Sequence, residues 1–101
     1  MAAKAYGGLV TLSVAAKTMT ELLRQVYGDS FQKTVFCTLT TRAHFDNADR
    51  IFLQIDGTDS DWMVPGEPLD YELAHGPVYT DQMSYRAIVP GDRMYITAFE
   101  A

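Results

Sequence analysis

Pro90-Gly91-Asp92-Arg93-Met94-Tyr95-Ile96-Thr97-Ala98-Phe99 sets a turn directly against an alternating run. Proline presets the backbone for the second place of a β-turn and glycine reaches the positive φ that the third place of a type II turn needs, so the chain reverses here. Side chains of a strand point alternately to its two faces. Met94, Ile96 and Ala98 therefore share one face, and Tyr95, Thr97 and Phe99 share the other. The first set fills a core. The second set is not built for water, and its aromatic rings predict a further cover, either a helix or another subunit.

Working outward, Val10, Leu12 and Val14 alternate with Thr11 and Ser13, the pattern of a half-buried strand. Thr18 and Glu21 have capping-box spacing: the hydroxyl accepts from a free helix amide and the carboxylate reaches back to the cap. Met19, Leu22, Leu23 and Val26 follow at spacings of three and four, and Gly28 is suited to end the segment, which predicts one short α-helix over residues 19–27. Thr34 to Thr41 is a β-branched strand with Val35, Cys37 and Leu39 assigned to one face. Arg50 to Asp56 repeats the pattern with Ile51, Leu53 and Ile55, and the polar Asp46–Asp49 stretch reads as a hairpin that pairs these two strands. A polar loop from Gly57 to Asp61, the apolar Trp62-Met63-Val64 and the turn Pro65-Gly66-Glu67-Pro68 come next. Leu69, Tyr71 and Leu73 alternate, Gly76-Pro77 breaks the chain, and Val78-Tyr79 and Ser84 to Val89 precede the final turn. About seven or eight short strands at such regular spacing describe an all-β chain, a small antiparallel β-sandwich of jelly-roll-like form. The reading takes residues 1–101 as a single domain.

With 48% hydrophobic and 21% charged residues, the composition is that of a folded domain. A net charge of −5 argues against coating nucleic acid, where lysine and arginine must neutralise phosphate, and favours a basic partner surface over an acidic one. Cys37 stands alone, so no internal disulfide forms. Residues 1–15 lack the apolar core of a secretory leader and no run has the length of a membrane span, so no membrane role is expected.

Catalytic chemistry finds little to use. Cys37 lies mid-strand, where a buried thiol behaves as a small hydrophobe. His44 and His75 are isolated, which fits polar surface residues better than a general base or a metal pair. Asp56-Gly57-Thr58-Asp59-Ser60-Asp61 offers hard oxygen ligands but departs from the EF-hand, with glycine second and not sixth, and reads as a solvated turn. No catalytic residue, metal or cofactor is expected. Aromatic residues at strand positions serve core and interface packing. Tyr95 and Phe99 are the leading interface residues, with Trp62 and Tyr85 behind them.

From Asp56 to Ala101, the order of loop, Val64-Pro65-Gly66-Glu67-Pro68-Leu69 turn, short strand, Gly-Pro-Val-Tyr step and a last strand entered through Pro-Gly-Asp resembles small structural proteins of tailed-phage virions. That resemblance implies a non-enzymatic decoration or cement subunit on the outside of the capsid shell, found in the virion and partnered by the major capsid protein or another virion protein, and by further copies of itself. The capping-box helix and the aspartate-rich loop depart from the pattern. The alternative is a small cupin-like or carbohydrate-binding barrel with a ligand among Trp62, Tyr71, Tyr79 and the histidines.

Overall fold

The computed structural model describes residues 4–32, 35–72 and 78–100. The chain forms β1 (Ala5–Thr11), β2 (Lys17–Thr18), α1 (Met19–Tyr27), β3 (Val35–Ala43), β4 (Ile51–Ile55), β5 (Thr58–Met63), β6 (Pro68–Glu72), β7 (Val78–Tyr79), β8 (Met83–Ala87) and β9 (Arg93–Glu100). One sheet runs β1-β9-β3-β6 with β7 also on β3, the other β2-β8-β4-β5, and every pairing is antiparallel. The chain crosses repeatedly between the two sheets in this order, which is the winding of a jelly roll. Leu73, His75 and the Gly76-Pro77 break lie outside the described residues.

Both inner faces are apolar. Val10, Phe36, Leu39, Met94, Ile96 and Ala98 of the first sheet meet Ile51, Leu53, Met63, Met83, Tyr85 and Ala87 of the second in one core. Fully burying a side chain of the size of Leu or Met contributes roughly 1.5–3 kcal/mol. Thr41 is the polar member of the inner face of β3, and its hydroxyl contacts Met63 Sδ at 3.4 Å across the sandwich.

The helix matches its expectation. Thr18 Oγ1 accepts from the Glu21 amide at 3.2 Å and Glu21 Oε1 accepts from the Thr18 amide at 3.2 Å, so both halves of the capping box are made. At the other end the Gly28 amide donates to Arg24 O at φ 86°. Met19, Leu22 and Leu23 enter the core. The opposite turns seat α1 along the free edge of β1: Gln25 gives and takes hydrogen bonds with the Thr11 backbone at 2.8 and 2.9 Å, and the Tyr27 hydroxyl does the same with Gly7 at 3.1 and 2.8 Å. These side chains stand where a further strand would pair.

Four expectations are corrected. The strands Val35–Ala43 and Ile51–Ile55 do not pair; they belong to different sheets. The connection between them docks on the start of β9, where the Asp92 carboxylate accepts from the Ala48 and Asp49 amides and the Asn47 side chain brackets the Arg93 backbone. Cys37 does not share a face with Leu39, because the β3–β9 register slips between Phe36 and Thr38 and Cys37 is the extra residue of a bulge. Phe36 takes the inward place and the half-exposed Cys37 thiol donates to Phe99 O at 3.4 Å. The polar stretch after Gly57 is the strand β5: Asp56 and Gly57, at φ 52° and 83°, form a two-residue turn of the type that Asp-Gly favours in hairpins. His44 is buried, not a surface residue, its imidazole stacked 4.6 Å from Phe45 and 5.5 Å from Tyr95.

Candidate functional site

The final strand has the two faces its alternation predicts: Met94, Ile96 and Ala98 are buried, while Tyr95 and Phe99 are 42% and 44% exposed. Register builds their surroundings. Tyr95 sits between Leu9 of β1 and Arg42 of β3, Thr97 between Gly7 and Thr40, and Phe99 between Ala5 and Thr38. The result is a sheet face of aromatic and aliphatic side chains on a floor of threonine. At its rim stands Phe45, 72% exposed.

Phe45, Tyr95, Arg42, Thr40, Thr97 and Gly66 line an open concavity of about 680 Å³ on this face. Its walls are held by local chemistry. His44 Nδ1 accepts from the Asp46 amide at 3.1 Å, which fixes the ring that stacks on both Phe45 and Tyr95. Val64-Pro65-Gly66-Glu67 closes a type II turn, with Gly66 at φ 84° and the Glu67 amide 2.9 Å from Val64 O. Gly66 N to Ala43 O at 2.9 Å and Ala43 N to Glu67 O at 3.1 Å pin that turn to β3. Of the Val64–Leu69 motif, Gly66 thus lines the concavity.

The outer face of the second sheet is arranged differently. Trp62 is 50% exposed but has the Arg50 guanidinium 5.8 Å over its ring, and Phe52 has Arg86 at 4.3 Å. Arg86 also makes a two-point contact with Asp59 at 2.7 and 3.2 Å, and Gln54 adds a third hydrogen bond at 2.9 Å. Hydrogen bonds from Arg86 and then Gln54 hold the Asp59 carboxyl below the ordinary aspartate range, and the Asp59 hydrogen bond raises Arg86 in return.

The four expected interface residues are therefore not one patch. Tyr95 and Phe99 lie on the outer face of the first sheet and Trp62 on that of the second. Tyr85 is fully buried and is corrected from interface to core: β8 turns Met83, Tyr85 and Ala87 inward and Ser84 and Arg86 outward, and the apolar set takes the core. Leu9, Arg42 and Phe45 were not among the expected residues. Leu9 and Arg42 are legible as strand neighbours only once the β1-β9-β3 order is known, and Phe45 stands in a connection with no periodicity.

Of the residues named for a barrel ligand, Trp62 and Tyr79 belong to different sheets, and the side chains of Tyr71 and His75 lie outside the described set. Among the described residues no three His, Cys, Asp or Glu side chains gather to hold a metal, and no helix is long and apolar enough to cross a membrane. Comparison with family models, curated proteins and solved structures finds no match to this chain.

Proposed function

We propose that this domain is a non-enzymatic structural subunit that binds protein through the outer face of its first sheet, as a decoration or cement protein on the outside of a phage capsid shell and as a homo-oligomer. The observation that carries the reading is the row of exposed Leu9, Tyr95 and Phe99, with Phe45 at its rim, on a rigid sheet rather than on loops. Apolar surface of this kind gains roughly 25 cal/mol for each Å² removed from water, and Tyr and Phe anchors are enriched where protein interfaces concentrate their binding energy. The acidic balance of the chain suits the outside of a DNA-filled shell, and the Val64–Leu69 turn supports the virion assignment through resemblance.

Tyr95→Asp and Phe99→Asp, each checked for native circular dichroism, test it by sedimentation of the protein alone and with shells assembled from a tailed-phage major capsid protein. Each variant should weaken self-association or shell binding by at least about tenfold, the effect of losing one interface anchor. Trp62→Asp should leave both nearly unchanged. Wild-type association in both Asp variants sinks the proposal.

A further inference from the structure

The five arginines divide sharply by what they touch. Arg24 donates to Phe31 O at 3.0 Å, Arg50 lies 3.9 Å from Asp49 and over Trp62, and Arg86 is held by Asp59 and Phe52. The side chains of Arg42 and Arg93 make no hydrogen bond or ion pair with any described residue. Both belong to the outer face of the first sheet and both flank Tyr95: Arg42 is its cross-strand partner, and Arg93 precedes it by two on the same face of β9. A chain of net charge −5 thus sets these two guanidinium groups, without a partner among the described residues, beside an open concavity that Phe45 and Tyr95 line.

We infer that this concavity is the contact point for an acidic segment of a partner protein, one in which a Glu or Asp carboxylate stands next to an aromatic side chain. This rests on the proposed protein-binding role of the face and names the chemistry it selects. The aromatic side chain packs in the concavity against Phe45 and Tyr95, which His44 stacks on and holds in place, and the carboxylate meets Arg42, whose planar donors match two carboxylate oxygens. Arg93 adds a second positive charge near the same point. The whole-chain charge favours a basic partner, but the charged residue among those that line the concavity is Arg42, whereas Asp46 and Glu67 follow the lining residues Phe45 and Gly66 without lining it themselves, and the contact reads the charge it touches. Opposite charges across the contact would also raise the rate of encounter.

The test is an amide chemical-shift titration of the full chain with blocked heptapeptides centred on Glu-Phe, Gln-Phe or Lys-Phe, and with a tetrasaccharide of hexuronic acid. Glu-Phe should shift residues 40–45 and 93–97, bind at least about tenfold more tightly than Gln-Phe, and weaken as salt rises. Arg42→Glu should reverse the order so that Lys-Phe binds best, and Arg42→Gln should level it. Equal binding of Glu-Phe and Gln-Phe, or preference for Lys-Phe by the unaltered chain, overturns the inference while leaving the face as a protein-binding surface. Shifts from the uronate with all peptides silent overturn it in favour of an acidic glycan. Silence from every probe, with Tyr95→Asp still disrupting assembly, overturns the inference alone; silence with Tyr95→Asp assembling normally removes the protein-binding role as well.

Discussion

The two sheets present aromatic side chains to solvent in opposite ways. On the second sheet each ring has its own cation, Arg50 over Trp62 and Arg86 over Phe52, and Arg86 is itself neutralised by Asp59. On the first sheet Leu9, Tyr95 and Phe99 stand open, and Arg42 and Arg93 are left without a counter-charge among the described residues. The edges add a second contrast. The free edge of β1 is closed by Gln25 and Tyr27, so further strands are barred from joining there while the face beside it remains open. An exposed aromatic residue is thus a poor guide to an interface by itself. Tyr95 too has a ring neighbour in His44, so what distinguishes the two faces is whether the chain supplies the charge beside each ring with a counter-charge of its own.

The seal on the first sheet gives the largest expected effect. A Cβ on Gly8 would stand 2.6 and 3.0 Å from the two Cγ atoms of Val26, a β-branched helical side chain with little rotamer freedom. Gly8→Val should push α1 away from β1 and cost about 2–3 kcal/mol, from overpacking against Val26 together with the φ of 158° at Gly8, which L side chains rarely adopt. Val26→Ala in the same chain should recover the packing part of that loss and leave the backbone part, because the clash is between these two residues and their effects are not additive. Urea unfolding of the two single variants and the double variant measures it. A neutral Gly8→Val would mean that the helix is not seated on the edge, and the contrast between a sealed edge and an open face would fail.

A middle-sized effect separates the arginines. Arg86→Ala removes a cation from the Phe52 face and should lower stability by roughly 0.5–1 kcal/mol, the usual range for such contacts at exposed sites. Arg42→Ala, which breaks no hydrogen bond or ion pair with a described residue, should change stability by less than about 0.5 kcal/mol. Thermal unfolding of the two variants side by side decides it. Equal losses would show that Arg42 is held within the fold no less firmly than Arg86.

How far these features can be read from sequence depends on how local their causes are. The helix rests on Thr18 and Glu21, three residues apart, and its bounds follow from them. The Pro65-Gly66 and Pro90-Gly91 turns are equally local. Asp56-Gly57 carries as strong a hairpin signal, but the following Thr58, Asp59 and Ser60 are exposed and polar, so the strand they form shows no alternation. The bulge at Cys37 leaves no mark in a run of residues that all suit a strand; it is set by the β9 partner. Strand pairing across the sandwich, and with it the separation of Trp62 from Tyr95, rests on contacts between distant segments. The division of the arginines into tethered and open follows from that pairing, which is why whole-chain charge points to the opposite kind of partner.

The smallest expected effect tests whether the second face is self-paired in solution. Asp59 is exposed, and the hydrogen bonds that favour its ionised form come first from Arg86 and then from Gln54. A carboxyl whose folded pKa lies below its unfolded one adds stability above the unfolded value and loses it as pH falls through the folded value. Stability should therefore gain a small acid-side dependence in the window just below the ordinary aspartate pKa, and salt should shrink it because the pair is open to solvent. Carboxyl ¹³C shifts of Asp59 followed against pH read the group directly. In the unaltered chain it should titrate below the ordinary range. In Arg86→Gln it should move back up but not fully, since Gln54 still donates at 2.9 Å. An Asp59 that titrates as an ordinary aspartate in the unaltered chain would mean that Arg86 is not paired with it in solution. The second sheet would then also carry an arginine without a counter-charge, over Phe52, and the contrast between the two faces would narrow.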